Sequence, residues 1–193
     1  MGMGQGVGLG MGTNMGVDMG LGMGMGMGLG MGMGLGMWAA RSEKIFECPQ
    51  MYHVSTSLSL FLGGGITSCP EWQSVMVQML KDINLTILNP RRANFDVNNR
   101  NIELEQITWE FKHLAKADSI MFWFPCETLC PIVLFELGKW IATDKKLFIG
   151  CHPDYKRKSD VRIQVGLVRG KRQKIHESLE DVANEIKKWA SNI

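Results

Sequence analysis

Two glutamates stand in stretches of sequence that could serve chemistry. Glu136 interrupts the apolar run Pro-Ile-Val-Leu-Phe-Glu-Leu-Gly-Lys-Trp, and Glu110 follows Trp109 ahead of another apolar run. Because an ionised carboxylate is costly to bury without a partner, Glu136 either faces solvent or a cleft, or is held there for a purpose. Two carboxyl groups in one pocket suit cleavage of an N-glycosidic bond, since one stabilises the anomeric carbon while the other manages the proton of the leaving base. The competing interpretations are an exposed Glu136 and a salt-bridged surface Glu110.

Two polar turns could bring a ligand to these carboxylates. Gly63-Gly64-Gly65 would let the backbone approach a ligand closely, although the triplet lacks both the dinucleotide fingerprint and the Walker lysine, and turn geometry alone could require it. In Asn89-Pro90-Arg91-Arg92, the two arginines suit bidentate contact with a phosphate or carboxylate. A structural salt bridge to Asp96 or Glu103 is the alternative for these arginines.

Four aromatic residues could form a stacking wall for a nucleobase. Trp72 and Trp109 are equally consistent with stacking and with a place in the core. Trp123 and Phe124 lie in a continuous apolar segment, and for Trp123 the core is favoured.

Apolar periodicity predicts the strands and helices on which these residues lie. It predicts strands at 57–62, 85–88, 119–124 and 146–150, with a weaker fifth segment at 161–168. It predicts helices at 70–82, 102–116, 131–143 and 174–190. Their inner faces should carry Trp72, Val75, Met76 and Met79 in the first helix, Ile107, Phe111 and Leu114 in the second, and Ile175, Leu179, Val182, Ile186 and Trp189 in the last.

Alternating strands and helices are typical of a parallel sheet with right-handed crossovers. Ligands bind such sheets outside the carboxyl ends of the strands. The loops that begin at Gly63, Asn89, Pro125 and Cys151 should therefore share one edge.

Composition separates the chain into two parts. Residues 1–37 alternate glycine with methionine and other apolar residues, which indicates a low-complexity, disordered tail more than an ordered strand. We therefore assign residues 1–50 to a tail and linker and residues 51–193 to one domain.

The net charge of +2, with charges mixed along the domain, gives no electrostatic footprint for nucleic acid. No apolar run is long enough for a membrane span. Five cysteines, without zinc spacing, favour a reducing cytoplasmic compartment and no metal site.

Five segments, taken in order, resemble the nucleoside 2-deoxyribosyltransferase-like proteins over about residues 57–155. The most specific segment is Phe135-Glu136-Leu137-Gly138-Lys139. The others are Leu60-Phe61-Leu62-Gly63-Gly64-Gly65-Ile66, Asn89-Pro90-Arg91-Arg92, Gln106-Ile107-Thr108-Trp109-Glu110, and the run from Ala117-Asp118 to Phe124-Pro125.

The resemblance implies an α/β fold, a flavodoxin-like or Rossmann-like three-layer sandwich with a mostly parallel sheet of about five strands. It implies that Glu136 is the catalytic nucleophile, that Glu110 is the general acid, and that the glycine loop lines the sugar and base pocket. A homodimer or higher homo-oligomer is also implied. The sequence departs from the family at Cys130, where an Asp that helps to hold the base is usual, and its C-terminus does not obviously supply groups to a neighbouring subunit.

The expected activity is cleavage or transfer at the N-glycosidic bond of 2-deoxynucleosides or their 5′-monophosphates, through a covalent deoxyribosyl intermediate on Glu136. This chemistry requires no metal or redox cofactor. Two alternatives stay open. One is cleavage of the nicotinamide–ribose bond of NAD, and the other is a non-catalytic nucleotide-binding or interaction module.

Overall fold

The computed structural model describes residues 44–92 and 99–192. The predicted disorder of the Met/Gly-rich tail concerns residues outside this range, and Asp96 also lies outside it. Six strands are present: β1 (Ile45–Glu47), β2 (Leu58–Gly64), β3 (Leu85–Asn89), β4 (Ser119–Phe124), β5 (Lys146–Cys151) and β6 (Ile175–His176). Five α-helices accompany them: α1 (Trp72–Leu80), α2 (Arg100–Lys116), α3 (Pro131–Ile141), α4 (Lys158–Arg169) and α5 (Leu179–Ser191).

The strands form one sheet in the order β1-β3-β2-β4-β5-β6, and every pair is parallel. From β2 the chain moves outward to β3 and then returns past β2 to β4. The direction of winding therefore reverses between β2 and β4, and this reversal creates a crevice at their carboxyl ends. Without β1, the order is that of flavodoxin. The predicted α/β fold is confirmed, with six strands where about five were expected.

Helices cover both faces of the sheet, because successive side chains of a strand point to opposite faces. Phe61 and Phe122 point to the face where α2, α3 and α4 pack. Leu62 and Met121 point to the face that α1 and α5 cover. All six residues of β4 are buried, as expected for a central strand whose two faces are both covered.

Three sequence-based assignments are corrected by the structure. The segment 161–168 is not a strand but most of helix α4, whose buried residues Val161 and Val165 have helical spacing. Ile175 belongs to β6 and not to the last helix. That helix begins only after Ser178, whose hydroxyl accepts a hydrogen bond from the backbone N–H of Asp181 at 3.1 Å.

The inner face of α2 also differs from the prediction. Ile107 and Phe111 are 57% and 61% exposed, whereas the buried residues are Gln106, Trp109, His113 and Leu114. The helix can bury His113 because both ring nitrogens have partners. Nε2 accepts from the backbone N–H of Tyr52 at 3.1 Å, and Nδ1 donates to the Trp109 carbonyl at 2.7 Å. On α1, Val75 is likewise exposed and does not share the buried face.

A short edge strand lies within the segment that the sequence analysis assigned to the linker. β1 pairs with β3 through Ile45 and Ile87, and the residues that follow it, Cys48 and Tyr52, are buried. Three residues are too few to show strand periodicity. None of the helices in the described ranges has the length and apolar character needed to cross a membrane.

The glycine turn after β2 is required by packing. A Cβ added to Gly64 would lie 2.7 Å from the carbonyl oxygen of Trp123 and would also collide with the indole of Trp72. At Gly65 it would lie 2.9 Å from both Cys130 Sγ and Pro125 Cγ. The loops after β2 and β4 can therefore touch only because these positions have no side chain.

Gly64→Ala should destabilise the protein by about 1–3 kcal/mol, because the backbone of β4 cannot move aside to accept a methyl group. Urea denaturation measures the free energy of unfolding. The matched control is Gly166→Ala in α4, where no atom lies within 4 Å of the added Cβ. That change should stabilise the protein by up to about 1 kcal/mol. Equal effects at the two positions would contradict the packing argument.

Candidate active site

The two glutamates lie on neighbouring helices, near enough for the charge of Glu110 to raise the pKa of Glu136. Helix α2 follows β3 and α3 follows β4, so both helices begin at the edge formed by the carboxyl ends of the strands. Glu110 is in the third turn of α2, and Glu136 is in the second turn of α3. The two helices are in contact, since Lys139 Nζ lies 4.4 Å from the centroid of the Phe111 ring. The structure thus brings together the carboxylates that the sequence analysis paired.

Both carboxyl groups are partly buried, and this alters their protonation. Burial raises the pKa of Glu136 to about 8, with the negative charge of Glu110 adding to the effect and the charge of Lys139 opposing it. Burial also raises the pKa of Glu110, while a hydrogen bond from Gln106 opposes that rise. Two carboxyl groups so close together do not both ionise easily, so the pair keeps a proton at neutral pH.

The location of that proton differs from the predicted mechanism. Gln106 Nε2 donates to Glu110 Oε1 at 2.7 Å, and such a donor favours the ionised form of Glu110. Burial and the charge of Glu110 therefore favour the protonated form of Glu136, whereas a nucleophilic Glu136 needs the proton on Glu110. Because the two groups titrate as a coupled pair, a substrate that favours the other microstate can move the proton between them.

The two tryptophans predicted to line the site are core residues. Trp72 is 3% exposed, and its Nε1 donates to the carbonyl of Gly65 at 2.8 Å. Trp109 is 2% exposed, its Nε1 donates to the carbonyl of Gln50 at 2.6 Å, and its ring stacks on His113 at a centroid distance of 3.9 Å. In this structure no face of either ring is open to a base. Trp72 instead supports the glycine turn from beneath.

The Asn89–Arg92 segment is held by contacts within the protein. Asn89 Nδ2 donates to Glu47 Oε1 at 3.2 Å, which ties β3 to the edge strand. The side-chain oxygen of Asn89 accepts from the backbone N–H of Arg91 at 3.1 Å, which shapes the turn. The side chain of Asn89 thus connects β1 with the end of β3.

Both arginines of this segment bind protein groups near the ends of helices. Arg91 Nη1 donates to the Pro70 carbonyl and to Gln73 Oε1, each at 3.2 Å. Arg92 Nη2 donates to Glu105 Oε2 at 2.8 Å and to the Cys48 thiol at 2.9 Å. Both arginines therefore form structural salt bridges, as in the alternative interpretation. Glu71 lies 3.8 Å from Arg91, and Glu105 pairs with Arg92. These partners differ from the expected Asp96 or Glu103.

Two residues that the sequence analysis did not assign to the site act directly on the carboxyl pair. Gln106 donates to Glu110, and Lys139 lowers the pKa of Glu136. Spacing could have indicated both, since Gln106 precedes Glu110 by four residues and Lys139 follows Glu136 by three. Residues so spaced on a helix are neighbours on its surface.

A shallow depression lies at the opposite, amino edge of the sheet and is remote from both glutamates. Its lining comes from the end of α4 and the approach to β6, with Arg162, Val165, Gly166, Gly170, Lys171, Gln173 and Ile175. Within residues 44–92 and 99–192, no three His, Cys, Asp or Glu side chains come together as a candidate metal site.

Comparison with known proteins gives one family. A family model described as nucleoside 2-deoxyribosyltransferase like matches residues 57–155, about half of the chain. This span begins just before β2, ends after β5 and includes both glutamates. The match confirms the resemblance predicted from the sequence motifs. A search of the curated proteins finds no match to this chain.

Glu110→Gln should lower the pKa of Glu136, because it removes the negative charge that helps to hold that pKa near 8. Carbon-13 NMR titration of the glutamate side-chain carboxyl groups measures the change. The matched control, Glu180→Gln on the exposed start of α5, should leave the titration of Glu136 unaltered. An unchanged Glu136 pKa in the Glu110 variant would show that the two groups are not coupled.

Proposed function

The chain belongs to the nucleoside 2-deoxyribosyltransferase-like family, and on that premise we propose that it is an enzyme that breaks the N-glycosidic bond of 2-deoxynucleosides or their 5′-monophosphates. The observation that supports this most strongly is the coupling between Glu110 and Glu136. Burial and the charge of Glu110 raise the pKa of Glu136 to about 8, while the Gln106 donor favours the ionised form of Glu110, so the pair favours a state with a single proton. A glycosidic displacement also needs one protonated and one ionised carboxyl group, with the proton on the acid.

The proposed reaction has two displacements. Ionised Glu136 attacks the anomeric carbon and forms a glycosyl ester, while the bond to the base breaks and the base takes the proton of Glu110. A second base or a water molecule then attacks the same carbon, Glu110 takes a proton from it, and Glu136 leaves as carboxylate. The proton that burial favours on Glu136 must pass to Glu110 as substrate binds.

A sugar without phosphate is the favoured substrate. Arg91 and Arg92 are the arginines that follow β3 at this edge, and both guanidinium groups already bind protein acceptors. A 5′-phosphate would have to compete with these acceptors, which hold Arg91 at the start of α1 and Arg92 on α2. The deoxynucleoside therefore fits the described conformation better than the monophosphate.

Recognition of the base should differ from that of relatives with an Asp at position 130. Cys130 is buried, and its sulfur lies where a side chain on Gly65 would go. Burial raises the pKa of this thiol to about 12, so it stays protonated and neutral. A neutral, buried sulfur cannot hold the amino group of a base as a carboxylate would.

A second copy of the chain is the proposed partner. Large exposed apolar side chains concentrate on the helices of one face, which we call the apolar layer: Leu104, Ile107, Phe111, Ile132, Phe135, Ile163, Leu167 and Val168. On the opposite face, the described helices α1 and α5 expose only Val75 among the large apolar side chains. Such a concentration on one side marks an interaction surface.

The apolar layer borders the glutamate pair, because Phe135 immediately precedes Glu136 and Phe111 immediately follows Glu110. A copy of the same chain carries a matching apolar surface, so an isologous pair would bury both at once. It would also exclude water from the carboxyl groups, which strengthens their electrostatic effect on a bound sugar.

We further propose a cytoplasmic location, consistent with the five free cysteines.

Turnover of 2′-deoxynucleosides tests the proposed function. Purified protein with a deoxynucleoside, with and without a free acceptor base, should release or exchange the base, as followed by chromatography. Glu136→Gln should reduce turnover to background, because an amide cannot act as the nucleophile. Glu110→Gln should lower kcat by about 10²–10⁴-fold.

Glu180→Gln is the control for those variants and should retain full activity. NAD and a 5′-monophosphate are run in parallel, because preferential cleavage of NAD would replace the substrate class proposed here. Tight binding of a deoxynucleoside without base release would identify a binding module instead. Full activity in Glu136→Gln would remove this residue from the nucleophile role.

Phe135→Glu should dissociate the proposed dimer, because it places a charge in the middle of the apolar layer, where the side chain is 75% exposed. Light scattering after size-exclusion chromatography measures the mass. Val75→Glu on the opposite face is the matched control, and this variant should stay dimeric. A wild-type protein that is monomeric at micromolar concentration would contradict the assignment of this surface.

A further inference from the structure

Gln106 connects the proposed general acid to the end of β3. The side chain is buried in the second turn of α2. Its Nε2 donates to the carbonyl oxygen of Pro90 and to Glu110 Oε1, each at 2.7 Å. Both hydrogens of the amide are therefore used, one on the sheet edge and one on the carboxyl group.

The Pro90 carbonyl fixes the orientation of the Gln106 amide. A peptide carbonyl can only accept a hydrogen bond, so the amide nitrogen must face it. If the amide were turned over, its oxygen would lie against two oxygen acceptors. Glu110 Oε1 is consequently always the acceptor, and a proton carried by Glu110 can sit only on Oε2.

We propose that Gln106 is a positioning residue that holds Glu110 so that Oε2 delivers the proton to the departing base. The inference rests on the function proposed above. Without Gln106, the Glu110 carboxyl group could rotate, and its proton could occupy either oxygen. The side chain itself touches neither the sugar nor the base in this role.

The unused oxygen of Gln106 supports a role beyond packing. Gln106 Oε1 is buried without a hydrogen-bond partner. A buried acceptor without a partner carries a desolvation cost that an apolar side chain of the same size would avoid. Stability alone therefore does not explain the amide, whereas the two bonds made by its nitrogen do.

The test compares two substrates that differ in their need for a proton. The base of 2′-deoxyguanosine departs with a proton from the general acid, whereas the cationic base of 7-methyl-2′-deoxyguanosine departs as a neutral molecule without one. Gln106→Met keeps the volume but removes the donor. It should lower kcat/KM for deoxyguanosine by about tenfold to a hundredfold and change kcat/KM for the methylated substrate by less than about threefold.

Two further variants test the dependence on Glu110 and provide a control. Glu110→Gln should show the same substrate dependence with a larger loss, since Gln106 acts through Glu110. Gln164→Met, at an exposed position of α4, should leave both substrates unaffected. If Gln106→Met does not fold by circular dichroism, Gln106→Asn takes its place, because its shorter amide cannot reach both acceptors.

The outcomes separate this inference from the proposed function. Equal losses on both substrates would show that Gln106 only supports the fold of α2, and would overturn the positioning role while leaving the glycosidic activity intact. A wild-type protein that cleaves neither substrate would overturn the proposed function and this inference with it. A loss confined to deoxyguanosine is the result that the geometry requires.

Discussion

The structure around the candidate site depends on the electrostatic coupling of two half-buried carboxyl groups. Burial raises the pKa of each, and the charge of Glu110 raises the pKa of Glu136 further, so the pair retains a proton at neutral pH. Lys139 on α3 lowers the pKa of Glu136, and Gln106 on α2 lowers the pKa of Glu110. In such a pair, one carboxyl group can protonate the leaving base while the other donates an electron pair to the anomeric carbon. This is the chemical basis of the glycosidic activity proposed here.

The fold holds the pair in place through the reversal of strand order between β2 and β4. The glycine turn lets the loops after these two strands touch, and Trp72 supports that turn through its bond to the Gly65 carbonyl. On the other side, Pro90 at the end of β3 binds Gln106, and Arg92 binds Glu105. Helix α2 is thereby attached to the sheet edge at the level of Glu110. Arg92, which suggests phosphate binding in the sequence, serves here to hold α2 through Glu105.

The sequence predicts the elements whose burial follows from their own residues, and not those that depend on partners distant in the chain. The continuous apolar run of β4 identifies a covered central strand, and the order of the motifs identifies the family. The rotation of α2 could not be predicted, because buried Gln106 and His113 depend on partners distant in the chain, such as Tyr52. The same limit applies to Arg91 and Arg92, whose partners come from other elements. In α4, exposed Ile163 and Leu167 add apolar residues on the outer side, which hides the helical period and imitates a strand.

Covalent trapping of the sugar shows whether Glu136 is the nucleophile. A deoxynucleoside analogue with fluorine at C2 of the sugar forms a glycosyl ester that breaks down slowly, because fluorine destabilises the oxocarbenium-like transition state. Peptide mapping by mass spectrometry of the full chain then locates the sugar. We predict one adduct, on the peptide that contains Glu136, and no adduct in Glu136→Gln. An adduct on Glu110 would reverse the two roles, and release of base without any adduct would contradict the covalent mechanism.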